Sequence, residues 1–600
     1  MGAVAVLLSR AGPPEPATVR RMLDAAPHRG DDQVLERLGR VVLGVCNDTG
    51  WTTATLARAD GRVAGLCGAL DNDEALREEL RREGARPPTD RTPAATLLAA
   101  HRCWGQEAAH RLRGSFAGVL TDGREVLCFR DQFGARPLFR HDGPGGFFAA
   151  TEVKQVLAGA GIPREPDLDH LHGLLFGGLD RSTAYRGVER IPKATLVTAG
   201  REPGLDARTY WDPADLVESS RLGPDEAAEG VVAGLERAVR RVLTGRDALL
   251  LSGGLDSPAL AAFAGDAPGP EGRPGTGSVQ ALTAVYPEYP SADESEWTRR
   301  AARALGLPLH EYVADAGSLD EVDRWVRVLD GPVDVVSIPE SAEAYAEARA
   351  LGARTVINGE IAEMLFESRG YLLDHLLSHG RLRAAWRVIS RMREAGKTRR
   401  KILRRVLRAL APPAVVATLR DGEPGWQSAL PPWVDARPML EAASGPPMWR
   451  MSPRRRWIEM QTAPFQGPGV GFEADEICAA VCGVDSRRPF ADVDLWEFVL
   501  SLPAEVKFPD RRTKPLLRRA MRGLLPDELI DRKDKTLFDE FHLARADYPT
   551  LERLLVEPGR RLDGIDYEVL RRRLAGRDMG VYELQWARNV AKVHAFLEQW

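Results

Sequence analysis

Cysteine is scarce in this 600-residue chain, with six in all. That excludes a disulfide-built scaffold, which needs dense cysteines to make up for a small core. Cys478 and Cys482, in EICAAVC, are four apart and would share one helical face. No second pair stands near them, so they read as small buried hydrophobes and not as metal ligands. Long apolar runs are also missing. Nothing approaches the roughly 18 consecutive apolar residues of a membrane span, and the opening MGAVAVLLSRAG has neither a basic leader nor a long apolar stretch. Val6 stands where an N-myristoylation signal on Gly2 requires Ser or Thr. No sign of charge dominates either: 82 Lys and Arg against 86 Asp and Glu leave a formal net charge of -4. Such a balance gives no electrostatic footing for nucleic acid or an anionic membrane as the main partner. The expectation is a cytoplasmic protein with no nucleic-acid and no membrane partner.

What is present is the composition of a soluble globular protein, 44% hydrophobic and 28% charged, long enough for more than one core. The first 200 residues are short apolar runs broken by glycine and aspartate: RVVLGVC, RVAGLCGALDN, FAGVLTDG, EVLCFRD and GGFFAATEV. They predict a strand-rich, turn-rich domain. From about residue 225, helical stretches alternate with the apolar strands of DALLLSGG, VQALTAVYP and ARTVINGE, which predicts a parallel sheet with helices on both faces. REPGLDARTYWDPAD, at 201–215, reads as the linker, dividing the chain into domains at 1–205 and 215–600. Between 380 and 413, twelve Arg and Lys accompany one acidic residue, Glu394. Apolar residues there (Leu382, Trp386, Ile389, Ile402, Leu403, Val406, Leu410) recur at helical spacing, so the segment reads as solvated basic helices or as a docking surface for an acidic peptide.

The strongest chemical signal is LLLSGGLDSPALAAF at 249–263, a strand running through two glycines into a helix. Gly253 and Gly254 let backbone amides approach an anion closely, and Pro258 suits a first helical turn. No lysine follows the glycines, so this is not the GxxxxGK[ST] loop. SGGLDS is instead the pattern of the pyrophosphate loop of enzymes that cleave ATP between its α and β phosphates. Asp256 sets a carboxylate beside the triphosphate, which calls for Mg²⁺ and a second carboxylate. Glu360 and Glu363 follow the strand ARTVI, where ligands of parallel sheets bind, and lie three residues apart, a spacing that one helical face can carry.

On these residues the chain resembles the asparagine synthetase family. NGEIAEMLF (358–366) is similar to its Gly-Glu-Gly-Ala-Asp-Glu-Leu-Phe segment, with Ile361 for a glycine, Glu363 for the magnesium-binding aspartate and Met364 for a glutamate. HRGDDQ, LCGALDN, FRDQFGARPLF and ATEVKQVL resemble its amino-terminal signatures, and RRPFADVDLWEFVLSLPAEVKF and RRTKPLLRRAMRGLLPDELI its carboxyl-terminal helices. The resemblance implies an α+β and α/β chain: an Ntn-type glutaminase-like αββα sandwich, then an adenine-nucleotide alpha-hydrolase domain of the PP-loop ATP pyrophosphatase type. It implies ATP and Mg²⁺ as cofactors. The pyrophosphate loop would be Ser252, Gly253, Gly254, Leu255, Asp256 and Ser257; Leu251, Val285, Asn358 and Gly359 would meet the nucleotide; Asp256 and Glu363 would hold magnesium; Glu360 would act in the closing chemistry; and Lys535, in DRKDKTLF, would stabilise phosphate charge.

Glutamine-using members expose a cysteine after Met1 removal, and its thiolate attacks glutamine. Here that residue is Gly2, while Cys67 and Ala69 stand where the family has asparagine and glutamate. The amine is then free ammonia or one in the substrate. Members without that cysteine, β-lactam synthetases and lasso peptide cyclases, use an internal amine, and Glu360 falls where β-lactam synthetases carry a tyrosine. The expectation is a lasso peptide cyclase acting on a precursor peptide, with a leader-binding protein and a leader peptidase as implied partners. An ammonia-dependent amidotransferase, a β-lactam synthetase-like cyclase and a non-catalytic nucleotide-binding scaffold are the alternatives.

Overall fold

The computed structural model of the chain describes residues 1–265, 279–333, 337–394, 396–411, 430–442, 448, 451–533 and 536–600. The first domain is built on two antiparallel six-stranded sheets. Strand Ala3–Ser9 shows why they stack. Its alternate residues Val4, Val6 and Leu8 enter the core between the sheets, with Leu43, Val63, Val119 and Phe147. The intervening Ala3, Ala5 and Leu7 face Val19, Met22 and Leu23 of the helix Pro16–Asp24. Both faces are covered, so the strand is apolar throughout. Helix Pro93–Trp104 covers the outer face of the second sheet, against strands Ala54–Ala59 and Arg62–Leu70. The result is the expected αββα sandwich.

The reading of 201–215 as a linker is corrected here. Leu205–Thr209 is the edge strand of the second sheet, paired antiparallel with Thr195–Ala199 so that Thr195 faces Thr209. Tyr210 and Trp211 are buried, the tyrosine hydroxyl donating to the Arg130 carbonyl at 2.6 Å and the indole N–H to Glu497 at 2.7 Å. The first domain's sheet therefore runs past the boundary expected at 205.

The second domain holds a parallel sheet in the spatial order Leu309–Val313, Gln280–Val285, Asp247–Leu250, Thr355–Ile357, Asp485–Arg487. The chain leaves Asp247–Leu250 toward one edge and returns on its other side at Thr355–Ile357. That reversal opens a crevice at the carboxyl ends of these two strands, where parallel sheets bind ligands. Ser252–Ser257 and Asn358–Glu363 follow those ends directly.

Helix Val470–Val481 joins the domains. Its Glu473 accepts from Arg130 and Arg190 of the first domain, both at 2.8 Å. Its Glu476 accepts from Arg29 at 2.7 Å and Arg136 at 2.9 Å. All six side chains are nearly inaccessible, so each carboxylate is neutralised inside the protein. Cys478 lies on this helix and Cys482 caps its end, both against Ile338–Ala350. Among the described residues no helix is long and apolar enough to cross a membrane.

Candidate active site

The loop after Asp247–Leu250 is held open by its own serines. Ser257 Oγ accepts the Ser252 N–H at 2.8 Å and lies 3.0 Å from Ser252 Oγ. The Gly253 and Gly254 amides reach Glu294 Oε2 and Ser252 Oγ at 3.2 and 3.3 Å, long contacts that a phosphate oxygen can displace. A side chain on Gly253 would collide with Arg532, Trp297 and Glu294, the two nearest atoms at 2.8 Å, so only glycine fits. Gly359 closes on the loop from the other strand; a Cβ there would sit 3.2 Å from the Ser257 nitrogen. The Leu251 N–H is taken by the Leu282 carbonyl and the Val285 carbonyl by the Ala314 N–H, so the nucleotide would meet their remaining backbone groups. Leu255 is buried beneath the loop.

Two cations that the sequence reading passed over border this loop. The Lys514 ammonium is bonded to Asp256 and lies 3.8 Å from Glu363 Oε1. It is nearly buried and has a left-handed backbone, φ 49°, a strained conformation for lysine. Arg532 donates to the Gly253 carbonyl at 2.5 Å, pairs with Glu294 at 3.0 Å and stacks on Trp297. Both lie in runs quoted above, where Lys514 read as part of a helix and Arg532 as a neighbour of Lys535. Lys535 itself lies outside the described residues.

The site fits a divalent cation carried by phosphates. Among the described residues no group of three or more His, Cys, Asp or Glu side chains gathers as a metal cage. Mg²⁺ at a nucleotide, however, needs only one or two carboxylates besides phosphate and water. Asp256 Oδ1 is buried with no hydrogen-bond partner, and the Lys514 ammonium stands where a cation would bridge Asp256 to Glu363. Burial raises the Asp256 pKa, and Lys514 opposes the rise.

Glu360 is aimed by a chain of polar contacts. Asn358 is buried between the strands, taking the Glu360 N–H on Oδ1 at 3.2 Å and donating to Ser486 Oγ at 3.2 Å. Arg488 Nε holds Glu360 Oε2 at 2.6 Å, while the same guanidinium is bonded to Asp475 of the interdomain helix. Tyr345 donates to Asp475 at 2.6 Å. Ile361, standing where the family has glycine, takes the left-handed φ of 63° that glycine would adopt freely.

Glu360, Ile361 and Met364 form one side of a cleft of about 460 Å³. Its other walls include Val470 and Phe472 of the interdomain helix, Pro464 and Gln466 before it, and Phe133, Leu179 and Lys193 of the first domain. A larger hollow of about 950 Å³ between Asp225 and Leu524 is open to solvent and includes neither the loop nor Glu360.

At the first domain's own site, the Gly2 N–H donates to Thr53 Oγ1 at 2.6 Å and its carbonyl accepts from Cys67 at 3.2 Å. A Cβ on Gly2 would lie 2.4 Å from the Cys46 carbonyl oxygen and 2.7 Å from Ala54. The position lacks a nucleophile and the space for one.

Comparison with known proteins agrees with this geometry. The family model described as Asparagine synthase matches residues 231–600, and that of a Glutamine amidotransferase domain matches residues 1–211. The chain is 25% identical to glutamine-hydrolyzing asparagine synthetase 3 of Bacillus subtilis (strain 168), over 78% of this chain and 74% of the relative. It is 29% identical to a putative glutamine-hydrolyzing asparagine synthetase of Mycobacterium bovis, covering 78% and 73%. It is 31% identical to carboxyethyl-arginine beta-lactam-synthase of Streptomyces clavuligerus, covering 34% and 38%. With a family model spanning more than half its length, the chain belongs to the asparagine synthase family and is an ATP-dependent, AMP-forming amide ligase.

Proposed function

We propose that this ligase is a lasso peptide cyclase. An Asp or Glu side-chain oxygen of a precursor peptide bonds to the α-phosphorus of ATP as the α–β bridging bond breaks and pyrophosphate leaves. The peptide's amino terminus gives up one proton to solvent to become the free amine; its nitrogen then bonds to the acyl carbon, the bond to AMP breaks, and the second proton passes to Glu360. The loop amides of Ser252–Ser257 cradle the departing pyrophosphate; Lys514 and Arg532, with Lys535, offset its charge. Mg²⁺ on Asp256 and Glu363 would neutralise the triphosphate and hold it bent. Holding both ends of one chain supplies an effective molarity on the order of 10⁵ M or more. ATP supply puts the reaction in the cytoplasm.

The observation that carries this reading is Gly2, packed against the Cys46 carbonyl so closely that no side chain fits. Without ammonia from glutamine, the amine is either free ammonia or one carried by the substrate, and an internal amine needs no second bound reactant. The cleft beside Glu360 supports the same reading, because its described lining is largely apolar, with Lys193 and Glu360 as its charged members. Free aspartate, carrying an α-ammonium and two carboxylates, suits such walls poorly; a peptide suits them well. A β-lactam synthetase-like reaction on a small molecule is the second reading, favoured by the likeness to the Streptomyces clavuligerus protein.

A leader-binding protein and a leader peptidase would act on the same precursor. The basic helices Leu382–Glu394 and Arg399–Leu410 leave Leu382, Trp386, Leu403, Leu407 and Leu410 exposed, which makes them the candidate contact. Replacing Arg399, Arg400 and Lys401 with glutamate should then weaken processing and leave ATP affinity unchanged.

The deciding experiment measures pyrophosphate release with ATP and Mg²⁺, comparing ammonia plus aspartate with leader-free peptides that begin with Gly and carry a downstream Asp or Glu. Release that depends on peptide, with loss of one water from its mass, supports the cyclase. Release with ammonia and aspartate alone rejects it.

A further inference from the structure

The cleft at Glu360 is not made by the ligase domain alone. Phe133, Leu179 and Lys193 all come from the first domain, which has no nucleophile at position 2. Lys193 is the cation among the cleft's lining residues, and Glu360 is the carboxylate. The Lys193 ammonium donates to the Pro464 carbonyl at 2.9 Å and the Gln466 carbonyl at 3.3 Å. An ammonium has three N–H donors, so these two contacts leave one for an occupant of the cleft. Pro464 and Gln466 are themselves walls of the cleft, so the contacts fix the ammonium at its edge.

We propose that Lys193 is a specificity-determining binding residue of the acceptor cleft, donating to a main-chain carbonyl oxygen near the amino terminus of a bound peptide whose amine lies at Glu360. The proposal rests on the peptide reading above. The pairing follows from charge: a chain's amino end carries an ammonium that a carboxylate attracts, and its first carbonyls are acceptors that an ammonium can bind. The remaining walls accept apolar side chains. On this account the first domain has exchanged the supply of ammonia for one wall of the substrate site.

Burial, and after it Arg130, bring the Lys193 pKa down to about 8 against the opposing pull of Glu473 and Asp131. Glu360 is the charged group that shares the cleft with it. The ammonium, and with it the extra donor, is therefore lost as pH rises through about 8.

The test compares the full-length wild type with Lys193→Met and Lys193→Arg, following pyrophosphate release and peptide mass against concentration of the same leader-free peptides. Lys193→Met should raise the peptide KM roughly tenfold or more, the scale of one charge-assisted hydrogen bond, and leave the KM for ATP unchanged. Lys193→Arg should restore binding and lessen the rise in peptide KM that the wild type shows above pH 8, leaving the part due to the peptide's own amino group. If Lys193→Met fails to fold, the arginine variant still decides: an identical rise with pH in wild type and Lys193→Arg overturns the proposal. Equal peptide KM in wild type and Lys193→Met overturns it as well, while leaving the cyclase reading intact. A wild type that ignores every peptide and uses ammonia with aspartate removes the reading and this assignment together.

Discussion

Arg488 Nε lies 2.6 Å from Glu360 Oε2, and the other side of the same guanidinium is bonded to Asp475. Glu360 is thus held through one arginine by a helix whose Glu473 and Glu476 are locked into the first domain. The contact sets where the carboxylate sits relative to the loop.

Glu360→Gln keeps the size and the Arg488 contact of the side chain but cannot take a proton. Pyrophosphate release at saturating ATP is expected to persist, while amide formation falls by about 10² to 10⁴, the usual worth of a positioned base. Quantifying pyrophosphate and product in the same reaction separates the two steps. Equal losses in both would assign Glu360 to adenylation instead.

Asp256 and Lys514 form the other charged pair of the site. If Asp256 carries magnesium, Asp256→Asn should raise the Mg²⁺ needed for half-maximal pyrophosphate release about tenfold or more, because one of its few protein ligands is weakened. Lys514→Met should lower the rate by about 10² without raising that Mg²⁺ requirement, since the lysine acts on phosphate charge and its loss frees Asp256 for the metal. A magnesium titration of both variants checks this, and an unchanged midpoint in Asp256→Asn counts against the metal assignment.

Restoring the missing nucleophile should restore nothing. The Cys46 carbonyl oxygen and Ala54 stand 2.4 and 2.7 Å from where a Cβ on Gly2 would lie. Gly2→Cys is therefore expected to release no glutamate from glutamine and to lower the melting temperature, as overpacking costs roughly 1–3 kcal/mol. Recovery of glutaminase activity would mean that this strand yields more readily than its packing indicates.

The sequence made the scaffold of this site legible where hydrophobicity marks it. The apolar strands Asp247–Leu250, Gln280–Val285 and Thr355–Ile357 announce themselves, and the glycines and carboxylates at their ends follow. The neighbouring strand Asp485–Arg487 does not, because it reads Asp-Ser-Arg. It is buried with its charges neutralised from afar, Asp485 by Arg136 of the first domain and Arg487 by Asp71. No window of local sequence contains those partners. The same holds for Lys514, Arg488 and Lys193, whose importance lies in what distant segments bring to them. Leu205–Thr209 was hidden for a different reason: it is an edge strand with mostly exposed side chains, so it carries the composition of a loop.

The buried pairs across the domains also set an acid limit. Burial works against ionisation of Glu473, but Arg190 and Arg130 outweigh it and hold its carboxyl below the usual 4.5. Arg29 and Arg136 do the same for Glu476. At the Glu218 turn, burial is overcome by His375 and the Ala504 amide, bringing that carboxyl to about 2. A carboxylate whose folded pKa is depressed contributes stability that is present above its unfolded value and lost as pH falls through the folded one. The melting temperature should therefore be flat with respect to these groups from pH 7 to 5 and fall progressively below about 4.5. Glu476→Gln leaves Arg29 and Arg136 without one shared partner in the interior, at a cost of roughly 3–5 kcal/mol. Its melting curve should start lower at pH 7 and decline less steeply in acid, since one of the linked protons is gone. Calorimetry of both proteins between pH 3 and 7 is the measurement, and parallel acid slopes would show that Glu476 is not among the groups that tie the domains together.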